Sequence, residues 1–266
     1  MIEYAPAKIN IGLKILNKRE DGFHNLHSYF YPVPLFDLLE IQQYKKDLLI
    51  QTGLISTTTA KDNLVYKALV LLRHYFDIPP LKIHLHKQIP FQAGLGGGSG
   101  NAISFIKLVS KVFKFTLSPS QWLVLANALG SDCPFFIHAV PSEVKGKGEI
   151  VKPIAWSLKG IKIIIIKPNI SVKTSEAFQN INTDKDILKD ICTVSLKEYQ
   201  NTFENQFEEN LVPKYPFITE IKNKLLQSGA FYVSLSGSGS AVFGLFHKMV
   251  KINFSSSYFV WKGELQ

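Results

Sequence analysis

Between Pro90 and Ala102 the chain reads PFQAGLGGGSGNA. Gly94, Gly96, Gly97 and Gly98 carry no Cβ, so this stretch can turn sharply and bring its amides close to a ligand. Behind it, Ala102, Phe105, Ile106, Val109, Val112 and Phe113 recur at helical spacing, with Lys107, Lys111 and Lys114 off the stripe. N–H groups feeding a helix N-terminus make a seat for phosphate. The segment has neither the Gly-Lys-Ser/Thr end of a P-loop nor the spacing GxGxxG. A phosphate loop of another kind is expected, a flexible linker being the competing reading.

Other residue types could supply the chemistry around such a loop. Asp132, in Ser131-Asp132-Cys133-Pro134, could accept a proton from an attacking hydroxyl; alone, its place before Pro134 reads better as a helix cap. Lys8 and Asn10 share one face of an alternating strand in AKINIGLKIL. That face is either solvated or lines a site where Lys8 would neutralise a reacting oxygen. Asp21-Gly22 signals a hairpin turn, and the Phe23-His24 that follows could stack on and hydrogen-bond a base. Ser236-Gly237-Ser238-Gly239-Ser240 is either a plain turn or an anion nest. His84 and His86 alternate on a strand with no third ligand nearby, and read as strand-surface residues.

These residues need a scaffold of mixed type. Strand-like runs at residues 8–16, 81–86 and 161–166 alternate with helical patterns. One helix is expected from Asp62 through Val65, Ala68, Leu69, Leu72 and Phe76. The helix behind the glycine loop should end near Phe115. A further one should have Ser118 as N-cap, Pro119 in its first turn and Gly130 just past its end. YVSLSGSGSAVFGLF reads as two strands around a Gly/Ser turn. The interrupted pattern of PSEVKGKGEIVKP, residues 141–153, suggests a junction between two lobes, with ligand held at their interface.

Composition narrows the class. A chain of 266 residues with 46% hydrophobic content can bury real cores. The net charge of +9 comes from scattered lysines rather than a dense block with interleaved aromatics, which argues against nucleic-acid binding. No run is long and apolar enough for a bilayer, and two distant cysteines suggest neither a disulfide framework nor a zinc site. A protein of the reducing cytoplasm is expected, without a membrane partner.

Three of these segments occur in a telling order. AKINIGL, PFQAGLGGGSGNA and SGSGSAVFGLF resemble the three motifs of the GHMP small-molecule kinases. PAKIN, DGFHNLHS, DNLVYKA and LGSDCPFFI are similar to the members that phosphorylate the 2-hydroxyl of a cytidyl-diphosphate-linked methylerythritol in the non-mevalonate isoprenoid route. The resemblance implies an α+β fold with an N-terminal lobe like ribosomal protein S5 domain 2, residues 1–150, and a ferredoxin-like C-terminal lobe, residues 151–266.

It also implies roles. Asp132 matches the catalytic aspartate and Lys8 the lysine that works with it. Pro90, Phe91, Gln92, Ala93, Gly94, Leu95, Gly96, Gly97, Gly98, Ser99 and Gly100 match the ATP phosphate loop, with Asn63 toward the adenine. Asn10 lies on the substrate side. Phe23 and Phe178 fall where the family sandwiches cytosine, His24 where it reads the base edge, and Thr174 near that pocket. Magnesium is expected with ATP; Ser99 is a weak candidate ligand, and no metal site is assigned. The chain departs from the family at Gln92 (usually glycine), Gly100 (usually serine) and Phe23 (usually tyrosine). Gln92 implies a turn that a non-glycine residue tolerates. A homoserine, mevalonate or sugar kinase, or a non-catalytic binding protein, would share the three motifs. A monomer or weak homodimer is expected.

Overall fold

The computed structural model describes residues 1–54, 59–179, 181–183 and 186–266. In chain order the elements are β1 (Ile2–Lys18), β2 (His24–Gln43), β3 (Leu48–Gly53), α1 (Leu64–Leu72), β4 (Leu81–Lys87), α2 (Gly97–Phe113), α3 (Pro119–Leu129), α4 (Cys133–His138), β5 (Ser142–Gly146), β6 (Ile150–Pro153), β7 (Lys162–Lys167), α5 (Thr174–Ala177), α6 (Tyr199–Thr202), α7 (Phe207–Leu211), α8 (Pro216–Gln227), β8 (Tyr232–Leu235), β9 (Val242–Phe246) and β10 (Phe259–Glu264). They fall into two units that alternate along the sequence. The first is Met1–Ala7, Leu35–Phe91 and Gly96–Ala139; the second is Lys8–Pro34, Gln92–Leu95 and Val140–Gln266. The long strands β1 and β2 pair with each other, and each contributes residues to both units.

In the first unit β4 lies between β2, antiparallel with Leu38 opposite His86, and β3, parallel with Leu48 opposite Lys82. Alternation drives Leu81, Ile83 and Leu85 inward from β4 and Leu35, Leu39 and Ile41 inward from β2. The helices supply the rest of this core: Val65, Ala68, Leu69 and Leu72 of α1, Leu125, Ala126 and Leu129 of α3, and Phe135 and Phe136 of α4. Each of the Val, Leu, Ile and Phe side chains stabilises the fold by about 1.5–3 kcal/mol when fully buried. α3 starts and stops where expected. Ser118 and Gln121 exchange capping bonds, Pro119 occupies the first turn, and Gly130 follows the last residue.

The helical stripe of α2 holds for Ala102, Phe105, Ile106 and Val109, which are buried, but Val112 is exposed. The helix stops at Phe113, ahead of the expected Phe115, because Lys114 turns into the left-handed region at φ 56°. α1 begins at Leu64, with Asn63 rather than Asp62 opening it, and ends at Leu72.

The second unit carries the antiparallel order β10-β7-β9-β8, with α8 packed on β8 and β9. β7 is central, and Ile163, Ile164, Ile165 and Ile166 are buried on both of its faces, hence the unbroken apolar run. β8 and β9 are the two strands expected around the Gly/Ser turn. The segment read as a junction is an ordered hairpin instead. β5 pairs with the first half of β2, with Leu26 opposite Gly146 and Phe30 opposite Ser142, and β6 pairs with β5. Its glycines and prolines mark the turn and strand ends, which composition alone does not separate from a linker. Mixed α and β elements with these sheets agree with the expected α+β class.

Candidate active site

In the first unit the glycine loop runs into α2 without a side-chain cap, Gly96 preceding it at φ 67°. The helix therefore begins at Gly97, and a side chain does not occupy its first amides. Ser99 lies within the first turn. A Cβ placed on Gly130 would lie 3.9 Å from the Ser99 hydroxyl oxygen. The turn bearing Asp132 thus abuts the start of α2.

Asp132 occupies the N-cap position of α4 but makes no side-chain bond to that helix. The helix-cap reading thus holds for its position but not for its side chain. Burial pushes the neighbouring Cys133 thiol up to about 12, so at neutral pH it is a packed, protonated group rather than a nucleophile.

Gly100 carries a finding of its own. A Cβ there would lie 2.6 Å from the Pro6 carbonyl oxygen and 3.3 Å from the Phe136 ring. A serine would need that strand to move. The missing hydroxyl therefore reflects close packing at this position, and the neighbouring Ser99 keeps its own.

Asn63 caps α1, its Oδ1 accepting from the Val65 N–H at 2.9 Å. Pro90 and Phe91 follow a buried anchor that sequence reasoning missed. Asp37 Oδ1 accepts from the Gln88 and Ile89 N–H groups at 2.7 and 2.8 Å, and its Oδ2 pairs with the Lys87 ammonium. Lys87 also lies 5.2 Å from the Phe91 ring centre, and burial holds its pKa below the ordinary lysine value despite Asp37. The signal was present in the pattern. Lys87 continues the inward row Leu81, Ile83, Leu85, and Asp37 falls between Leu35 and Leu39.

The second unit gathers the other half of the predicted set. Gln92 takes φ 49°, so the turn is left-handed, and the expectation of a turn that suits a non-glycine residue is corrected. Ser240 N–H donates to the Gln92 carbonyl and Ala241 N–H to that of Ala93, both at 3.2 Å. The Ser236 hydroxyl donates to the Gly94 carbonyl at 3.0 Å, and Lys8 N–H to that of Leu95 at 2.9 Å. Residues 236–241 are thus both the expected turn and a clasp around Gln92, Ala93 and Gly94.

Lys8 and Asn10 are only 3% and 1% exposed, so neither lies on a solvated strand face. Both faces of β1 are covered here. The Lys8 ammonium donates to Asn10 Oδ1 at 2.6 Å and sits 4.5 Å from the Phe30 ring centre. It would lie 3.4 Å from a Cβ on Gly237 of the clasp.

Phe23, His24 and Phe178 lie about the β1–β2 turn. Phe23 is 52% exposed at its tip, with the Lys147 ammonium 4.7 Å from its ring centre. His24 stacks on Phe178 at 5.2 Å, and burial depresses its pKa. Thr174, one turn before Phe178 on α5, lies 3.1 Å from the Ser238 hydroxyl. His84 and His86 both reach the Thr52 hydroxyl, at 2.8 and 3.0 Å. Among the described residues, no group of three His, Cys, Asp or Glu side chains could hold a metal ion.

Residues 63–139 match the GHMP kinases N terminal domain and residues 187–255 the GHMP kinases C terminal domain. A solved structure described as 4-(cytidine 5'-diphospho)-2C-methyl-D-erythritol kinase superimposes with a TM-score of 0.78 and 30% identity, over 92% of this chain and 90% of that one. A Methanococcus jannaschii mevalonate kinase shares the fold, with a TM-score of 0.64 at 16% identity over 100% of this chain and 98% of the other. Fold and glycine loop together define a GHMP kinase.

The 4-diphosphocytidyl-2-C-methyl-D-erythritol kinase of Bacteroides thetaiotaomicron is 43% identical over 100% of both chains. That of Parabacteroides distasonis is 40% identical, again over 100% of both. The chain belongs to the family of 4-diphosphocytidyl-2-C-methyl-D-erythritol kinases.

Proposed function

We propose that the protein transfers the γ-phosphoryl group of ATP to the 2-hydroxyl of 4-diphosphocytidyl-2-C-methyl-D-erythritol, in the non-mevalonate isoprenoid route. The observation that carries this reading is identity of 40–43% with kinases of that name over the full length of both chains. The local geometry supports it, with an acidic turn against the start of an uncapped helix and a buried lysine beside the loop clasp.

Phosphoryl transfer depends on positioning and charge neutralisation. The amides of Gly97, Gly98 and Ser99 and the backbone from Pro90 to Gly100 hold the triphosphate, the helix end contributing about 0.3–2 kcal/mol. Asn63 lies toward the adenine. Asp132 accepts the proton of the attacking hydroxyl as its oxygen bonds to the γ-phosphorus; the bond to the bridging oxygen breaks and ADP leaves. Lys8 offsets the charge that gathers on the reacting oxygens. Asn10 contacts the polyol, Phe23 and Phe178 stack on the cytosine, His24 reads its edge, and Thr174 borders that pocket. Among the described residues no group of three His, Cys, Asp or Glu side chains could hold a metal ion; magnesium is expected to accompany ATP, bound to its phosphates.

Residues 1–150 and 151–266 are proposed as the two family domains, consistent with matched regions on either side of that boundary. No helix among the described residues is long and apolar enough to cross a membrane. A cytoplasmic monomer or weak homodimer acting on small molecules, without nucleic acid, completes the proposal.

The deciding experiment follows ADP release and the phosphorus NMR spectrum of product with the cytidyl substrate, mevalonate and homoserine in parallel. Turnover confined to the cytidyl substrate and inhibited by CMP supports the proposal. Turnover only with another alcohol, or none at all, refutes it.

A further inference from the structure

Beneath Lys8 runs a chain of buried polar groups whose donors and acceptors can be arranged in one way only. The Ser28 hydroxyl lies 2.6 Å from the Gly12 carbonyl oxygen, which can only accept, so the hydroxyl hydrogen points there. Toward Asn10, at 3.0 Å, the same oxygen can then only accept, and Asn10 must present its NH2 group. That fixes the opposite end of the amide. Oδ1 faces the Lys8 ammonium at 2.6 Å, and an ammonium can only donate. The inverted amide would aim NH2 at a buried cation. Ser28 is fully buried, as are Asn10 and Lys8, so water cannot readily replace any member of the chain.

We propose that Ser28 is a positioning residue for Lys8: its hydroxyl locks the Asn10 amide so that Oδ1 holds the lysine ammonium in place. This rests on the reading of Lys8 as the residue that offsets charge on the reacting oxygens. The Phe30 ring 4.5 Å from the ammonium provides a second wall but no directional bond. Asn10 Oδ1 thus contributes a directional bond to the ammonium, and the orientation of Asn10 comes from Ser28.

The test compares Ser28→Ala, Ser28→Thr and Tyr232→Phe with the unaltered protein. Tyr232 serves as control because its hydroxyl accepts from the Gly12 N–H at 3.1 Å and donates to the Phe203 carbonyl at 2.8 Å. Removing it costs buried hydrogen bonds near the same glycine and leaves the Ser28–Asn10–Lys8 arm intact. Ser28→Ala is expected to lower kcat by roughly 10–100-fold with little change in either KM. Ser28→Thr restores most of the rate, and Tyr232→Phe lowers Tm without that fall in kcat.

A second readout needs no turnover. The slowly exchanging 15N ammonium resonance of Lys8, assigned by its loss in Lys8→Arg, should disappear in Ser28→Ala and persist in the other two. If alanine prevents folding, Ser28→Cys, with its weak acceptor, takes its place in both measurements. A persistent Lys8 resonance in Ser28→Ala overturns the proposal, as does an equal loss of kcat in Tyr232→Phe. Absence of kinase activity in the unaltered protein would refute the functional reading alone, because the resonance still decides the role of Ser28.

Discussion

Gly94 lies in the loop and Gly98, four residues on, in the first turn of α2, and substitution by alanine should act on them in opposite ways. At Gly94 the backbone has φ 74°, and an added Cβ would overlap the Ser236 carbonyl oxygen and lie 2.8 Å from its carbon. Even a close carbon–oxygen approach needs roughly 3.3 Å. Gly94→Ala must therefore pull residues 92–94 away from the 236–241 clasp and break three hydrogen bonds, those from Ser236, Ser240 and Ala241. Left-handed strain of about 1–2 kcal/mol, added to about 0.5–1.5 kcal/mol per bond, gives a loss of roughly 3–6 kcal/mol. Against a typical total of about 5–15 kcal/mol, that is a near-unfolding lesion.

At Gly98, by contrast, φ is helical and the nearest atom to an added Cβ is Leu64 Cδ1 at 3.6 Å. Gly98→Ala should leave stability unchanged or raise it by about 0.4–1 kcal/mol, while weakening ATP binding if phosphate approaches that face. Urea unfolding and nucleotide titration of both variants supply the measurements. A Gly94→Ala protein less than about 1 kcal/mol destabilised would show that the clasp does not constrain the loop. Unchanged ATP affinity in Gly98→Ala would show that phosphate does not approach the face the Cβ would occupy.

Three further outcomes are expected. Asp132→Asn should lower kcat by about 10²–10⁴ while nucleotide affinity holds, and near-normal turnover would exclude it as the base. Phe23→Ala, at an exposed tip, should shift stability by no more than about 0.5 kcal/mol and raise KM for the cytidyl substrate; an unchanged KM argues against stacking. Burial holds the His27 imidazole below its ordinary pKa, Glu143 opposing only in part, and its Nδ1 accepts from the Leu188 N–H at 3.0 Å. The unfolded chain thus takes up the proton first, so this stability is present above about pH 6.5 and lost as pH falls through the folded value. His27→Gln should flatten the acid-side decline of Tm, and identical profiles for the two proteins would contradict this.

Local rules made much of the scaffold legible. The capping signals of α3 depend on neighbours within one turn, and Ser118, Pro119 and Gly130 were each read correctly. The alternation of β4 likewise survives in its burial pattern. Where a residue's meaning depends on a distant segment, pattern failed. Lys8 and Asn10 occupy polar positions of a strand, but covering elements turn them into buried groups. Residues 141–153 look like a linker until β2 is there to receive them. The glycine loop was visible from composition and its helix, whereas its clasp joins residues about 145 apart and had no local sign. Asp37, Lys87 and Ser28 were overlooked because each is an ordinary polar residue until a partner is placed against it.

The alternation of the two units along the chain bears on how the protein is made. Residue 139 completes the first unit, whereas the second needs segments from 8–34 and 92–95 together with everything after 139. A nascent chain emerging from the ribosome can therefore close the first unit while those early pieces still lack their mates. Fragments cut at residue 150 would inherit the same deficit, so co-expressed halves, rather than either half alone, are the route to reconstituting the enzyme from parts.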